Sequence, residues 1–199
     1  MNLSIQGPMA VGKTTALKEL QNLHPEIKVS YERKSTEAKV NAYNFDKSIK
    51  EDFLKHQRIW IGSEILRHME AKSAGCDLFD YGAEDIEFYT LNYPVAMGYD
   101  WNLGMCLKDE LAALRYHRPD RILFLDAPLS VLRERKANDK ERIRSSFEFY
   151  TEKMLPLKYD FIDEISGKYH NVDYLTVTHM TPKEVAEYIY KWYEKQREE

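Results

Sequence analysis

The sequence predicts a three-layer α/β/α fold built on a five-stranded parallel sheet, and three observations carry that prediction. Short apolar segments alternate with longer stretches of helical periodicity along all 199 residues. One segment, Ile122-Leu123-Phe124-Leu125, is apolar without interruption, as befits a strand covered on both faces. A glycine-rich turn, Gly7-Pro8-Met9-Ala10-Val11-Gly12-Lys13-Thr14, joins the first strand to the first helix and matches the phosphate-loop pattern G-x-x-x-x-G-K-[ST].

The first strand, over 2–6, carries Leu3 and Ile5. The helix over 13–23 puts Ala16, Leu17, Leu20 and Leu23 on one face. In the turn between them, glycines leave room for backbone N–H groups to converge on phosphate oxygens, and the helix N-terminus adds partial positive charge. Lys13 reaches the outer phosphates, the Thr14 hydroxyl ligates Mg²⁺, and Thr15 extends the phosphate-binding stretch into the helix. Further strands are expected over 27–31, 76–80, 120–126 and 172–178. Helices are expected over 45–73, 104–117, 129–168 (interrupted at Pro156) and 182–197. Thr181-Pro182 with Glu184 behind it forms a good start for the last helix. Its tail, Lys195-Gln196-Arg197-Glu198-Glu199, reads as a fraying, solvated end. A parallel sheet offers ligands the carboxyl ends of its strands, and Glu32, Asp80 and Asp126 stand there beside the phosphate loop.

Composition narrows the partners. The length suits one domain, residues 1–199, with a real core. A net charge of −4 argues against general nucleic-acid binding, and no apolar run approaches a membrane span. The N-terminus lacks a secretion pattern, and Cys76 and Cys106 lack metal-ligand spacing, so a cytoplasmic setting is the expectation. The histidines show no ligand pattern either. Apolar helix faces leave a homodimer open.

Transfer of a phosphoryl group from ATP needs a metal, a phosphate clamp and a group to orient or deprotonate the acceptor. Asp80 suits the metal shell or the base, and Glu32 competes for the base role; Asp126, before Ala127-Pro128, shapes a turn. At these residues the chain resembles the deoxynucleoside kinase and thymidylate kinase branch of the phosphate-loop kinases. The resemblance rests on the N-terminal loop, Tyr31-Glu32, Asp80-Tyr81-Gly82, and Phe124-Leu125-Asp126-Ala127-Pro128 followed by Arg133 to Arg144. It implies ATP and Mg²⁺, a small-molecule acceptor that is a nucleoside or nucleotide, and a lid at about 129–146. Arg135, Arg142 or Arg144 in that lid would stabilise charge on the moving phosphoryl, although Arg135 and Asp139 are also spaced to pair on a wet helix. Tyr81 departs from the pattern, standing where the family carries an arginine; Arg33 or a lid arginine would have to substitute.

On the helix over 45–73, Gln57 shares a stripe with Phe53, Trp60 and Ile61. A buried amide needs partners. The resemblance implies a nucleobase there; a nearby backbone group is the other candidate. An acceptor with its own phosphate would need an arginine, and Arg33, Arg58 and Arg67 are available. Two other readings stay open: a kinase of another small alcohol, such as a sugar or an antibiotic, and a regulatory ATP-binding protein with little transfer activity.

Overall fold

Five strands pair in parallel in the computed structural model, which describes residues 1–139 and 146–198. They are β1 (Leu3–Gln6), β2 (Val29–Ser30), β3 (Leu78–Asp80), β4 (Arg121–Asp126) and β5 (Val172–Thr176), in the spatial order β2-β3-β1-β4-β5. The central β1 pairs Ser4 with Phe79 on one side and with Ile122 on the other. The helices are α1 (Lys13–Leu23), α2 (Lys34–Ala42), α3 (Lys50–Ser73), α4 (Ala83–Met97), α5 (Leu103–Cys106), α6 (Lys108–Arg115), α7 (Leu129–Asn138), α8 (Phe147–Phe149), α9 (Leu155–Tyr169) and α10 (Pro182–Glu198). Among the described residues no helix is long and apolar enough to cross a membrane.

Strand alternation sorts the two faces. Leu3 and Ile5 of β1, with Leu123 and Leu125 of β4, pack against Leu17 and Leu20 of α1 and Ile189 of α10. Each such buried side chain contributes about 1.5–3 kcal/mol. The opposite face of β1 is polar: Ser4 and Gln6 are fully buried and both donate to the Glu84 carboxylate, at 2.5 and 2.6 Å. Ile61, Ala83, Leu107, Leu111 and Leu114 build the apolar part of that layer from α3, α4, α6 and the α5–α6 junction.

The sheet matches expectation, but the helices differ in instructive places. The sequence pattern passes over α4 because its buried stripe includes charged residues, Glu84 and Glu87. Glu87 is matched by Arg115 at 2.7 Å and Arg118 at 2.6 Å. It likewise passes over α2, which buries only Thr36 and Val40. The expected helix over 104–117 divides into α5 and α6 at Leu107. The one over 129–168 breaks after Asn138, and a wider π turn, Tyr150–Met154, precedes Pro156, which lacks the N–H that an α turn needs. Part of the lid expected at 129–146 lies outside the described residues. The C-terminal segment is helical to Glu198 rather than frayed, tied by Trp192 Nε1 donating to Asp173 at 2.8 Å and Tyr193 to Asp77 at 2.9 Å.

Candidate active site

The phosphate loop leaves β1 and closes on the end of β4. At Gly7, φ is +141°, and a Cβ would lie 2.2 Å from the Leu125 carbonyl oxygen, so only glycine passes. Gly12, at φ +105°, turns the chain into α1. Lys13 folds back over this loop. Its ammonium donates to the Gly7 and Pro8 carbonyls at 2.8 and 3.0 Å and sits 4.3 Å from the centre of the Tyr81 ring. Burial lowers the Lys13 ammonium to about 8, while Asp80 and Asp85 oppose the shift. Pro8 is buried, Met9 and Ala10 form the rim with Ala10 held at φ 67°, and Val11 packs into the core.

The β3 end supplies the acidic partner. Thr14 Oγ1 donates to Asp80 Oδ2 at 2.7 Å, whereas Asp80 Oδ1 is buried with no hydrogen-bond partner among the described residues. A hydroxyl beside a carboxylate with unused lone pairs is the hard oxygen set that Mg²⁺ takes when it arrives on nucleotide phosphates, so these residues fit that ion. Glu32 follows β2 and remains open to solvent. Crowding by the surrounding protein pushes its carboxyl up to about 7, Asp85 and Asp80 add to the rise, and Arg67 and Lys13 oppose it. Lys13, Thr14, Glu32 and Asp80 therefore share one electrostatic site.

Three further residues belong to this site: Tyr81, which departs from the family pattern, Arg67, a candidate for an acceptor phosphate, and Asp85, which no motif marks. Tyr81 is half-buried at φ 59°, a left-handed backbone uncommon outside glycine. Asp85, in the first turn of α4, accepts from Lys158 of α9 at 2.5 Å. Arg67 of α3 is buried and binds Glu64 at 2.6 Å. It also donates to the carbonyls of Ser30 at 3.0 Å, Asp80 at 3.4 Å and Tyr81 at 2.9 Å, holding the ends of β2 and β3 together.

Arg135 reaches the loop from α7, donating to the Val11 carbonyl at 2.6 Å and the Val177 carbonyl at 2.7 Å. Arg142 and Arg144 lie outside the described residues. Arg33 pairs with Glu70 of α3. Asp126 accepts from Tyr159 at 2.6 Å. Gln57 is buried, and its partners are side chains rather than backbone: Thr90 donates to its oxygen at 2.9 Å, and its nitrogen lies 3.0 Å from His56 Nδ1. Burial lowers His56 to about 4, which leaves that ring nitrogen free to accept. Phe53 and Tyr93 stack beside it with ring centres 4.9 Å apart.

No family model matches the chain, and a search of curated proteins finds no match. Among solved structures, a deoxyadenosine kinase from M. mycoides, with the products dCMP and a flexible dCDP bound, aligns over 98% of this chain and 100% of its own at TM-score 0.69 and 16% identity. A thymidylate kinase from Candida albicans aligns over 98% of this chain and 91% of its own at TM-score 0.62 and 15% identity. The fold is that of the nucleoside and nucleotide kinases. Within this kinase fold the phosphate loop keeps its glycines, its lysine and its threonine, while Tyr81 presents a ring to Lys13.

Proposed function

We propose that this protein is a phosphotransferase that moves the γ-phosphoryl group of ATP to a nucleoside or nucleotide. The observation that carries this reading is the Thr14 hydroxyl bonded to Asp80 at 2.7 Å beside the buried Lys13 ammonium. The fold neighbours, one acting on a nucleoside and one on a nucleotide, favour acceptors of that kind.

Backbone N–H groups of residues 7–15 and the Lys13 ammonium hold the triphosphate, Lys13 exchanging the Gly7 and Pro8 carbonyls for phosphate oxygens. Thr14 and Asp80 hold Mg²⁺, which when bound draws negative charge off the phosphates. Glu32 takes the proton of an acceptor hydroxyl as that oxygen bonds to the γ-phosphorus and the bond to ADP breaks. Arg135 steadies the loop through Val11, and a lid arginine, Arg142 or Arg144, would offset the negative charge on the moving group. Gln57, one helical turn beyond Phe53, whose ring packs with Tyr89, Tyr93 and Trp101, meets the base of the acceptor, exchanging one of its two internal hydrogen bonds.

Tyr81 favours a second reading, an ATP-binding protein that transfers slowly, because a neutral ring replaces a cation beside the loop. Labelled ATP, Mg²⁺ and a panel of nucleosides, nucleotides and sugars separate the two. Label appearing on one acceptor class supports the phosphotransferase; ATP binding without transfer to any acceptor leaves the slow ATP-binding protein.

A further inference from the structure

The three arginines available to bind an acceptor phosphate are engaged elsewhere. Arg33 pairs with Glu70, Arg58 with Glu110 at 2.8 Å, and Arg67 with Glu64 and three strand-end carbonyls. On the β2 and β3 side of the phosphate loop stand three carboxylates instead: Glu32, Asp80 and Asp85.

Asp85 is the distinctive member. Its carboxylate is 23% exposed, and behind it the Lys158 side chain is 1% exposed, with its ammonium 2.5 Å from Asp85 Oδ1 and 4.7 Å from the centre of the Phe88 ring. Withdrawing an ammonium from water is costly unless it is paired. Here the pairing aims the carboxylate outward and keeps the cation behind it. The charge on Asp85 acts on Lys13, Glu32, Tyr81 and Tyr150, so it lies close to the site.

We propose that this acidic wall selects an uncharged hydroxyl acceptor, a nucleoside, over its monophosphate, and that Asp85, positioned by Lys158, makes the selection. The inference deepens the phosphotransferase reading and rests on it. A nucleoside hydroxyl donates to Asp85, a charge-assisted bond. A monophosphate sets like charges side by side, with no uncommitted arginine among Arg33, Arg58 and Arg67 to offset them.

The test compares thymidine, deoxyadenosine and deoxycytidine with their 5′-monophosphates as acceptors, using the wild-type chain, Asp85→Asn and Lys158→Met. The wild type should prefer the best nucleoside over its monophosphate by about 100-fold or more in kcat/KM, a difference of about 2.7 kcal/mol. Asp85→Asn should shrink that preference by at least about 10-fold, read as the ratio of the nucleoside and monophosphate KM values at saturating ATP. Lys158→Met should act in the same direction. Should it fail to fold, Asp85→Asn decides alone, because asparagine keeps the shape and can still accept from Lys158. Calorimetry of the same ligands, with and without Asp85→Asn, separates binding from turnover. A monophosphate preferred by the wild type, or a preference that Asp85→Asn leaves unchanged, overturns this inference while phosphotransfer stands. Selective nucleoside binding without transfer overturns the phosphotransferase reading and leaves the acidic wall intact.

Discussion

Titration of kcat/KM against pH probes the proposed chemistry most directly, because two of its groups are displaced toward neutrality. Glu32 must be ionised to accept a proton; its carboxyl is raised to about 7, so activity rises through that pH. Lys13 must be protonated to hold phosphate; its ammonium is lowered to about 8, so activity falls above that pH. The product of the two active fractions peaks near pH 7.5, with about 0.6 of the protein in the competent form. Two units to either side that fraction drops about 20-fold. Initial rates at subsaturating acceptor, from pH 5.5 to 9.5 at constant ionic strength, give the curve. Glu32→Gln should lower the whole profile by on the order of 10²–10⁴ and erase the acid limb. An acid limb that persists in Glu32→Gln refutes Glu32 as the base. A wild-type profile flat between pH 5.5 and 7.5 refutes the electrostatic argument as a whole.

Other perturbations bear on the remaining parts. Lys13→Ala should cut transfer by at least about 10²-fold with the melting temperature retained, as read by labelled ATP and circular dichroism. Asp80→Asn should raise the Mg²⁺ concentration for half-maximal rate by about 10-fold or more, because it weakens the carboxylate beside Thr14. Gln57→Ala should raise the acceptor KM without moving the KM for ATP, and should cost about 1–3 kcal/mol of stability by stranding Thr90 and His56. Gly7→Ala drives a methyl group into the Leu125 carbonyl; calorimetry should find ATP binding lost.

Residues close in the chain made much of this protein legible beforehand. The loop at 7–14, the parallel strands and the placing of Glu32 and Asp80 after strands follow from motif spacing and apolar runs. α4 is not legible in the sequence because Glu84 and Glu87 sit in its buried stripe, where periodicity expects apolar residues. Gln57 was legible as an amide among apolar neighbours, but Thr90, 33 residues away, and the ring of His56 beside it supply partners that no stripe reveals.

By itself, then, the sequence determined the sheet, the phosphate loop and the acids at the strand ends, since each is written in a few consecutive residues. Only the tertiary structure decided what those groups face. Thr14 meets Asp80 across 66 residues, Asp85 meets Lys158 across 73, and Arg135 meets Val11 across 124. Such pairings depend on the packing of helices against both faces of the sheet, and charges so far apart in the chain influence one another only once burial brings them together.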